Sequence, residues 1–314
     1  MAEKKIATRE SYGNALAELG EKYDIVVLDA DLSKSTKTEV FKKKFPDRFI
    51  NMGIAEQNMM STAAGLASCG KIVFASSFAM FAAGRAFEQI RNSIAYPNLN
   101  VKIGATHAGI SVGEDGATHQ CLEDIGIMRT IPNMVIINPA DDVEARAAVK
   151  AAADHNGPVY LRFGRLGVPV IYGDDYKFEL GKGVTLKDGS DVTIFATGLM
   201  VEASLSAAEA LSEQGVSARV VNIHTIKPID REIIVNAARE TGAVVTCEEH
   251  NIIGGLGSAV AEVLCEEYPV PMVRVGVKDC FGKSGVPAQL LKDYGLTAED
   301  VAESAKKAMA KKNK

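Results

Sequence analysis

Two histidines and a carboxylate lie close together in a glycine-rich segment, residues 106–120, that follows an apolar run ending at Gly104. The histidines are His107 and His119, and the carboxylate is Asp115. Imidazole groups titrate near neutral pH, so they can move protons or donate hydrogen bonds to a developing oxyanion. Because loops at strand ends collect ligands and catalytic groups, this segment predicts an active site.

The same pattern is also compatible with a polar loop that caps a helix, or with a metal site. A metal site would need a third or fourth ligand within reach, and the spacing of His107 and His119 matches no zinc pattern. Two of the five histidines of the chain fall in this single loop, which favours the catalytic interpretation.

A second group of residues suits a flat ring that carries a nitrogen base. Glu56 follows a glycine turn at Gly53 and stands on the predicted first turn of a helix, where its charge could simply interact with the helix dipole. Apolar residues nearby favour a dry pocket or an interface: Ile54, Met59, Met60, Ala63 and Ala64. Further along, Phe78, Phe81 and Phe87 could form an aromatic bed for a ring, although their helical spacing is also typical of plain core.

Three residues that suit a phosphate group are spread along the chain: Arg9, Ser35 and Arg165. Arg165 follows a predicted strand, where its planar fork of donors would suit a phosphate. Each of the three, taken alone, is also typical of a surface position. Their assignment to one site therefore depends on the elements that carry them.

The elements that must position these residues are short apolar runs alternating with alanine-rich helical patterns. Such alternation predicts α/β structure with mainly parallel sheets covered on both faces. Turn-forming residues interrupt it between 173 and 189. We therefore expect two doubly wound domains, 1–175 and 190–314, joined by a linker at 176–189. Strands are predicted at 25–28, 72–75, 101–104, 134–137, 159–162, 192–196, 218–223, 243–247 and 272–275, and helices at 11–21, 56–67, 79–95, 121–130, 140–154, 201–213, 230–239 and 257–267.

Composition narrows the class of protein. The 314 residues carry a net charge of −5, which gives no support for a nucleic-acid partner. The five cysteines are scattered without a C-x-x-C pair, as is typical of free thiols in a reducing compartment. No apolar stretch reaches membrane-spanning length. We therefore expect a cytoplasmic protein without membrane or nucleic-acid partners.

Taken together and in this order, the motifs resemble the transketolase family. The run T-H-A-G-I-S-V-G-E-D-G-A-T-H-Q at 106–120 is similar to the substrate loop of that family, and G-I-A-E-Q-N at 53–58 is similar to the segment that carries its cofactor-activating glutamate. The resemblance covers nearly the whole chain but only the second half of a full transketolase. The G-D-G motif that helps to hold Mg²⁺ and diphosphate in the family has no match here.

The resemblance implies a pyrimidine-binding domain followed by a transketolase C-terminal domain, as in the smaller component of a two-subunit transketolase. The cofactors would be thiamine diphosphate and Mg²⁺, with the metal and the diphosphate held mainly by an N-terminal partner subunit that carries the G-D-G motif. No metal ligand is expected in this chain. The implied assembly is an α₂β₂ heterotetramer that transfers a two-carbon ketol group from a ketose phosphate to an aldose phosphate.

The resemblance also implies roles for single residues. Glu56 would hydrogen-bond the pyrimidine nitrogen N1′, Phe78 and Phe81 would pack against the pyrimidine ring, and Asp31 would meet the cofactor region across the subunit interface. Gly84 stands where a third aromatic residue occurs in some relatives. The remaining residues would bind the sugar phosphate: His107 and His119 at the hydroxyls or carbonyl, Asp115 at a hydroxyl, and Arg9, Ser35 and Arg165 at the phosphate.

Three alternatives remain open from the sequence. The β subunit of a 2-oxo acid dehydrogenase has a similar length and the same two domains, but the loop with two histidines favours sugar chemistry. A half resembling deoxyxylulose-phosphate synthase also has a T-H-Q loop, but commonly places an arginine near position 107. A scaffold or regulatory subunit would need none of Glu56, His107, Asp115 and His119.

Overall fold

The computed structural model describes residues 5–173 and 175–312. Strands and helices alternate along both halves of the chain, and the predicted α/β architecture with mainly parallel sheets is confirmed. The strands are β1 (Lys5–Ala7), β2 (Ile25–Asp29), β3 (Phe49–Asn51), β4 (Ile72–Phe78), β5 (Val101–Thr106), β6 (Val135–Ile137), β7 (Val159–Arg162), β8 (Gly167–Pro169), β9 (Val184–Lys187), β10 (Val192–Ala196), β11 (Ala218–Asn222), β12 (Thr225–Lys227), β13 (Val244–Asn251) and β14 (Met272–Val277). The α-helices are α1 (Thr8–Leu19), α2 (Ser33–Thr36), α3 (Glu39–Lys44), α4 (Glu56–Ser68), α5 (Phe87–Gln89), α6 (Asp124–Arg129), α7 (Asp142–Asp154), α8 (Met200–Ser212), α9 (Arg231–Thr241), α10 (Leu256–Glu267), α11 (Pro287–Asp293) and α12 (Ala298–Met309).

The first sheet has the strand order β12-β6-β7-β5-β4-β2-β3, and all its neighbours are parallel except β12, which runs antiparallel to β6. Strands β2 and β5 are buried along their whole length because helices cover both faces. Helices α1 and α7 pack on one face, and α4 and α6 pack on the other. Since the strands are parallel, their carboxyl ends meet at one edge of the sheet.

The second sheet has the order β14-β13-β10-β11-β9, with β9 antiparallel to β11 and the others parallel. Helices α8 and α12 cover one face, and α9 and α10 cover the other. A two-stranded antiparallel pair, β1 with β8, completes the pairing. Within the two described ranges, no helix is long and apolar enough to span a bilayer.

Two strands differ from the predicted division of the chain into domains. Strand β9 lies within residues 176–189, the span predicted as a linker, and hydrogen-bonds in the second sheet. Strand β12, which follows β11 of the second sheet, instead pairs with β6 at the edge of the first sheet. The boundaries 1–175 and 190–314 stay predictions, but β12 crosses them to join the first sheet.

The helix predicted at 79–95 and the strand predicted at 243–247 both differ from the structure. The helix predicted at 79–95 is not uniform, because π-helical turns at Met80–Arg85 and Ile90–Ala95 flank the short α5. Such wide turns are frequent at functional sites. The strand predicted to end at 247 continues to Asn251, so that β13 carries two buried glutamates, Glu248 and Glu249, into the interior.

Candidate active site

The carboxyl edge of the first sheet gathers the residues that the sequence singled out. Strand β4 ends at Phe78, β5 ends one residue before His107, and β7 ends three residues before Arg165. Helix α4 begins at Glu56, just beyond the end of β3. The open carboxyl edge of a parallel sheet is the usual place for a ligand in this architecture.

His107 is buried, and its backbone adopts a φ of 55°, a left-handed conformation that is uncommon for residues other than glycine. Its ring stacks on Phe78 with centroids 3.9 Å apart. Its Nδ1 lies 2.9 Å from Thr106 Oγ1, and its Nε2 lies 3.5 Å from Arg9 Nη1. Because the guanidinium can only donate, Nδ1 carries the ring proton and Nε2 presents its lone pair toward the site.

Burial, together with the positive charges of Arg9 and Arg165, lowers the pKa of His107 to about 3. The imidazole is therefore neutral throughout the physiological range. The lone pair at Nε2 of a neutral ring can accept a hydrogen bond, from Arg9 in this structure or from a hydroxyl group in its place, which an imidazolium cannot do.

The low pKa of His107 predicts an acid-dependent loss of stability. Between pH 6.5 and pH 3 the folded state binds fewer protons than the unfolded state. The free energy of unfolding that the neutral His107 contributes is therefore complete above about pH 6.5 and is lost as the pH falls. At pH 5 the loss reaches about 2 kcal/mol. We expect His107→Asn, which tolerates a positive φ, to lose less stability than the wild type between pH 7.5 and pH 5 in urea unfolding. An equal loss in both proteins would contradict the assignment.

A cluster of positive charge surrounds His107. Arg9, Lys37 and Arg165 all lie near enough to lower the pKa of His107, and Arg165 also contributes to the lowered pKa of Arg9. Arg9 donates to the main-chain oxygen of Ser35 at 2.8 Å, while its buried Nε has no hydrogen-bond partner in the described part of the chain. A buried guanidinium nitrogen without an acceptor is costly, so this cluster suits an anion that would supply one.

The aromatic residues stand between this cluster and Glu56. Phe78 and Phe81 are nearly parallel, with an interplanar angle of 15° and centroids 5.9 Å apart. His119 meets Phe81 edge-on at 5.3 Å, and its Nδ1 lies 2.9 Å from Thr118 Oγ1. Both histidines of the loop therefore lie against Phe78, and His119 also lies against Phe81, which joins the loop and the aromatic bed into one site.

Glu56 is 1% exposed, and its Oε2 accepts a hydrogen bond of 2.7 Å from Arg85 Nη1. The side chain of Arg85 is 46% exposed and lies over the ring of Phe81, 4.7 Å from its centroid. Arg85 therefore covers the two groups, the carboxylate and the ring, that the sequence assigned to a flat ligand. The sequence analysis missed Arg85, because nothing in its local pattern shows that a π-helical turn directs it at Glu56.

The other predicted residues are less closely tied to this centre. Asp31 is exposed just beyond β2 and accepts a hydrogen bond from Asn51 Nδ2 at 2.9 Å. Asp115 is exposed on the loop. Arg165 donates to the main-chain oxygen of Val112 and lies 3.3 Å from Glu114 Oε2, so part of its donor fork is already engaged. Ser35 contributes a main-chain oxygen to Arg9, and the role of its hydroxyl stays a prediction.

Lys37 is a further residue that the sequence analysis missed. It adopts a φ of 69° at the end of α2, and its Nζ lies 3.7 Å from Glu10 Oε1. Its place near His107 depends on that turn and has no sequence signal. Among residues 5–173 and 175–312, no three His, Cys, Asp or Glu side chains are grouped so that they could hold a metal ion.

Comparison with known proteins agrees with this architecture. The family model of the transketolase pyrimidine-binding domain matches residues 4–170, and that of the transketolase C-terminal domain matches residues 181–301. The chain therefore belongs to the transketolase family. It corresponds to the half of a transketolase that holds these two domains, since it matches 49% of the mouse transketolase at 41% identity over 96% of its own length.

Several relatives match over nearly their whole length. A Methanocaldococcus jannaschii protein with the provisional name transketolase C-terminal section is 55% identical over 96% of each chain. The 6-deoxy-6-sulfo-D-fructose transketolase subunit SqwH of Clostridium sp. (strain MSTE9) is 46% identical over 97% of this chain and 95% of its own. A solved structure described as a split gene transketolase, inactive beta4 tetramer, is 61% identical, with a TM-score of 0.92 over 97% of this chain and 99% of that one.

Proposed function

We propose that this chain is one subunit of a split transketolase that transfers a two-carbon ketol group from a ketose phosphate to an aldose phosphate. The reaction breaks the bond between C2 and C3 of the ketose and joins C2 to the aldehyde carbon of the acceptor. The observation that carries the proposal is the single sheet edge on which a buried carboxylate, a pair of parallel phenyl rings, two histidines and a cation cluster meet.

The residues present fit the pyrimidine part of thiamine diphosphate, the cofactor of the family. Glu56 offers a buried carboxyl group to a ring nitrogen, and Phe78 and Phe81 offer faces to a flat ring. When bound, the cofactor supplies the carbon nucleophile that the side chains of this protein lack. The task of Glu56 is to share a proton at the ring nitrogen N1′. Oε2 of Glu56 accepts from Arg85 in this structure, so the ring nitrogen would meet Oε1, or Oε2 once Arg85 moves away.

The cation cluster supports the second part of the proposal, which is the binding of an acidic sugar. Arg9, Lys37 and Arg165 would hold the terminal anion, with Ser35 beside them. His107, kept neutral by its surroundings, would accept a hydrogen bond from a sugar hydroxyl at Nε2, and His119 would contact the substrate from the facing side of the loop. Asp115 would recognise a further hydroxyl group.

The need for a partner subunit is also part of the proposal. The chain has no G-D-G motif, and its described residues have no grouping that could hold a metal ion, so the Mg²⁺ and the diphosphate would be held mainly by another polypeptide. Relatives of nearly the same length are subunits of transketolases. We propose that the complex is an α₂β₂ heterotetramer, with Asp31 near the cofactor across the interface.

The test is reconstitution with a candidate partner that carries the G-D-G motif, taken first from a neighbouring gene. We expect the chain alone to be inactive with thiamine diphosphate and Mg²⁺, and the mixture to convert xylulose 5-phosphate and ribose 5-phosphate. The partner alone serves as the control. Ketol transfer by the purified chain without any partner would contradict the proposal.

The same assay separates the alternatives. A 2-oxo acid dehydrogenase component would decarboxylate 2-oxo acids in the reconstituted complex instead of transferring a ketol group, and a scaffold would leave the activity of a complex unchanged when Glu56 is replaced. Substrates should include 6-deoxy-6-sulfofructose and apulose 4-phosphate, because relatives at 46% and 42% identity are named for them. A cluster of arginine and lysine suits a sulfonate as well as a phosphate.

A further inference from the structure

We propose that Glu249, in the second domain, is a positioning residue that holds the loop with His107 and His119 in its working shape. The effect that we expect on catalysis rests on the proposed function. The contact between Glu249 and the loop can be tested without that function. Glu249 lies on β13, on the other side of the predicted domain boundary from the loop.

The contact is direct. Oε1 of Glu249 accepts a hydrogen bond of 2.6 Å from the main-chain nitrogen of Ser111, which lies in the 3₁₀ turn Ile110–Val112 between the two histidines. The carboxyl group also fills the space beside Gly109, where an added Cβ would lie 2.3 Å from Cδ of Glu249. Gly109 has a φ of 88°, which suits glycine. The absence of a side chain at this position leaves room for the carboxyl group of Glu249.

The environment of Glu249 makes this bond strong. The residue is 4% exposed, and Arg162, which is also buried, donates to its main-chain oxygen at 3.0 Å. Arg162 is paired in turn with Asp124, at 2.8 Å from Nε to Oδ2. Burial raises the pKa of the Glu249 carboxyl, while the charge of Arg162 and the hydrogen bond from Ser111 lower it. A hydrogen bond from an amide to a buried carboxylate is worth more than one between neutral groups.

The loop depends on the second domain at its far end as well. Nε2 of Gln120, the residue after His119, donates to the main-chain oxygen of Lys283 at 2.9 Å, and the nitrogen of Asn251 donates to the oxygen of Leu122 at 2.7 Å. The first domain therefore supplies the histidines, while the second domain fixes the turn between them. This gives the second domain a part in substrate binding although none of its residues is among those assigned to the substrate.

The neighbouring residue provides a matched control. Glu248 lies on the same strand and is buried to the same degree, but its carboxylate accepts hydrogen bonds from the nitrogens of Leu256 and Gly257, at 2.6 Å and 2.8 Å, at the start of α10. Loss of that carboxylate removes buried hydrogen bonds from the second domain without touching the loop. Glu249→Ala and Glu248→Ala thus separate a loss of stability from a loss of loop position.

The first experiment is hydrogen exchange of the full chain, followed by mass spectrometry of peptides that cover residues 108–118. We expect Glu249→Ala to speed exchange in these peptides by about tenfold to a hundredfold. Glu248→Ala is expected to speed exchange at the start of α10 and to leave the loop unchanged. Glu249→Gln retains an oxygen that can accept from Ser111 and is expected to fall between the wild type and the alanine variant.

The second experiment uses the reconstituted complex. We expect Glu249→Ala to lower kcat/KM for the donor ketose by about tenfold or more, with the dissociation constant of thiamine diphosphate within about twofold of the wild type, and Glu249→Gln to recover most of the loss. Unchanged exchange in the loop, or equal kinetic losses in the Glu248 and Glu249 variants, would overturn the inference. If the wild-type complex transfers no ketol group, the proposed function fails while the exchange data still decide whether Glu249 holds the loop.

Discussion

Replacing Glu56 by alanine is expected to lower ketol transfer by the assembled complex about a thousandfold or more. The carboxyl group is buried at the start of α4 and is the acid placed to share a proton with the cofactor ring, a contribution that a neighbouring side chain cannot supply. The measurement is the steady-state rate with saturating thiamine diphosphate.

We expect the Glu56→Ala variant to form the same complex as the wild type, which gel filtration would measure. Removal of Glu56 leaves Arg85 without its partner, but that side chain is about half exposed and can be solvated, so the fold should lose little. Gln57→Ala, at the next and exposed position of α4, is the matched control and should keep near wild-type rates. Full activity of Glu56→Ala in an intact complex would remove the basis of the proposed function.

Replacing either histidine of the loop is expected to slow ketol transfer by about a hundredfold while leaving cofactor binding largely intact. The variants are His107→Ala, His107→Asn and His119→Ala. The asparagine tolerates the left-handed backbone at position 107, so a comparison with alanine separates the loss of the imidazole from backbone strain.

The readouts are kcat/KM for the donor ketose and, separately, the dissociation constant of thiamine diphosphate. His155→Asn serves as the control, because His155 precedes β7 and lies at the opposite end of that strand from the site. A loss of cofactor affinity with normal turnover at saturation would show that the histidines serve the cofactor instead of the substrate.

The general position of the site could be predicted from the sequence, because it follows from a few strong patterns. Apolar runs before Phe78 and His107 predict parallel strands, and parallel strands bring whatever follows them to one edge. The glycine turn before Glu56 places a carboxylate at a helix start by the same kind of local rule. Each of these patterns involves only residues that lie close together in the sequence.

The parts of the candidate site that could not be predicted depend on contacts between residues that are distant in the sequence. Arg85 reaches Glu56 across 29 residues through a π-helical turn, which no periodic pattern signals. Glu249 could not be predicted, because adjacent charges at 248 and 249 are typical of the end of a buried strand. The strand continues because each carboxylate is matched by main-chain donors from another element, and such matching is visible only in three dimensions.

Strand β12 has a consequence for how the molecule can be divided. It comes from the second half of the chain but supplies the last strand of the first half's sheet, next to β6. A polypeptide that stops between the halves would leave the main-chain amides and carbonyls of β6 open along one side, ready to recruit a strand from another molecule. The first half of the chain thus depends on β12 to cover the edge of its sheet, and prepared without the second half it would be prone to aggregate.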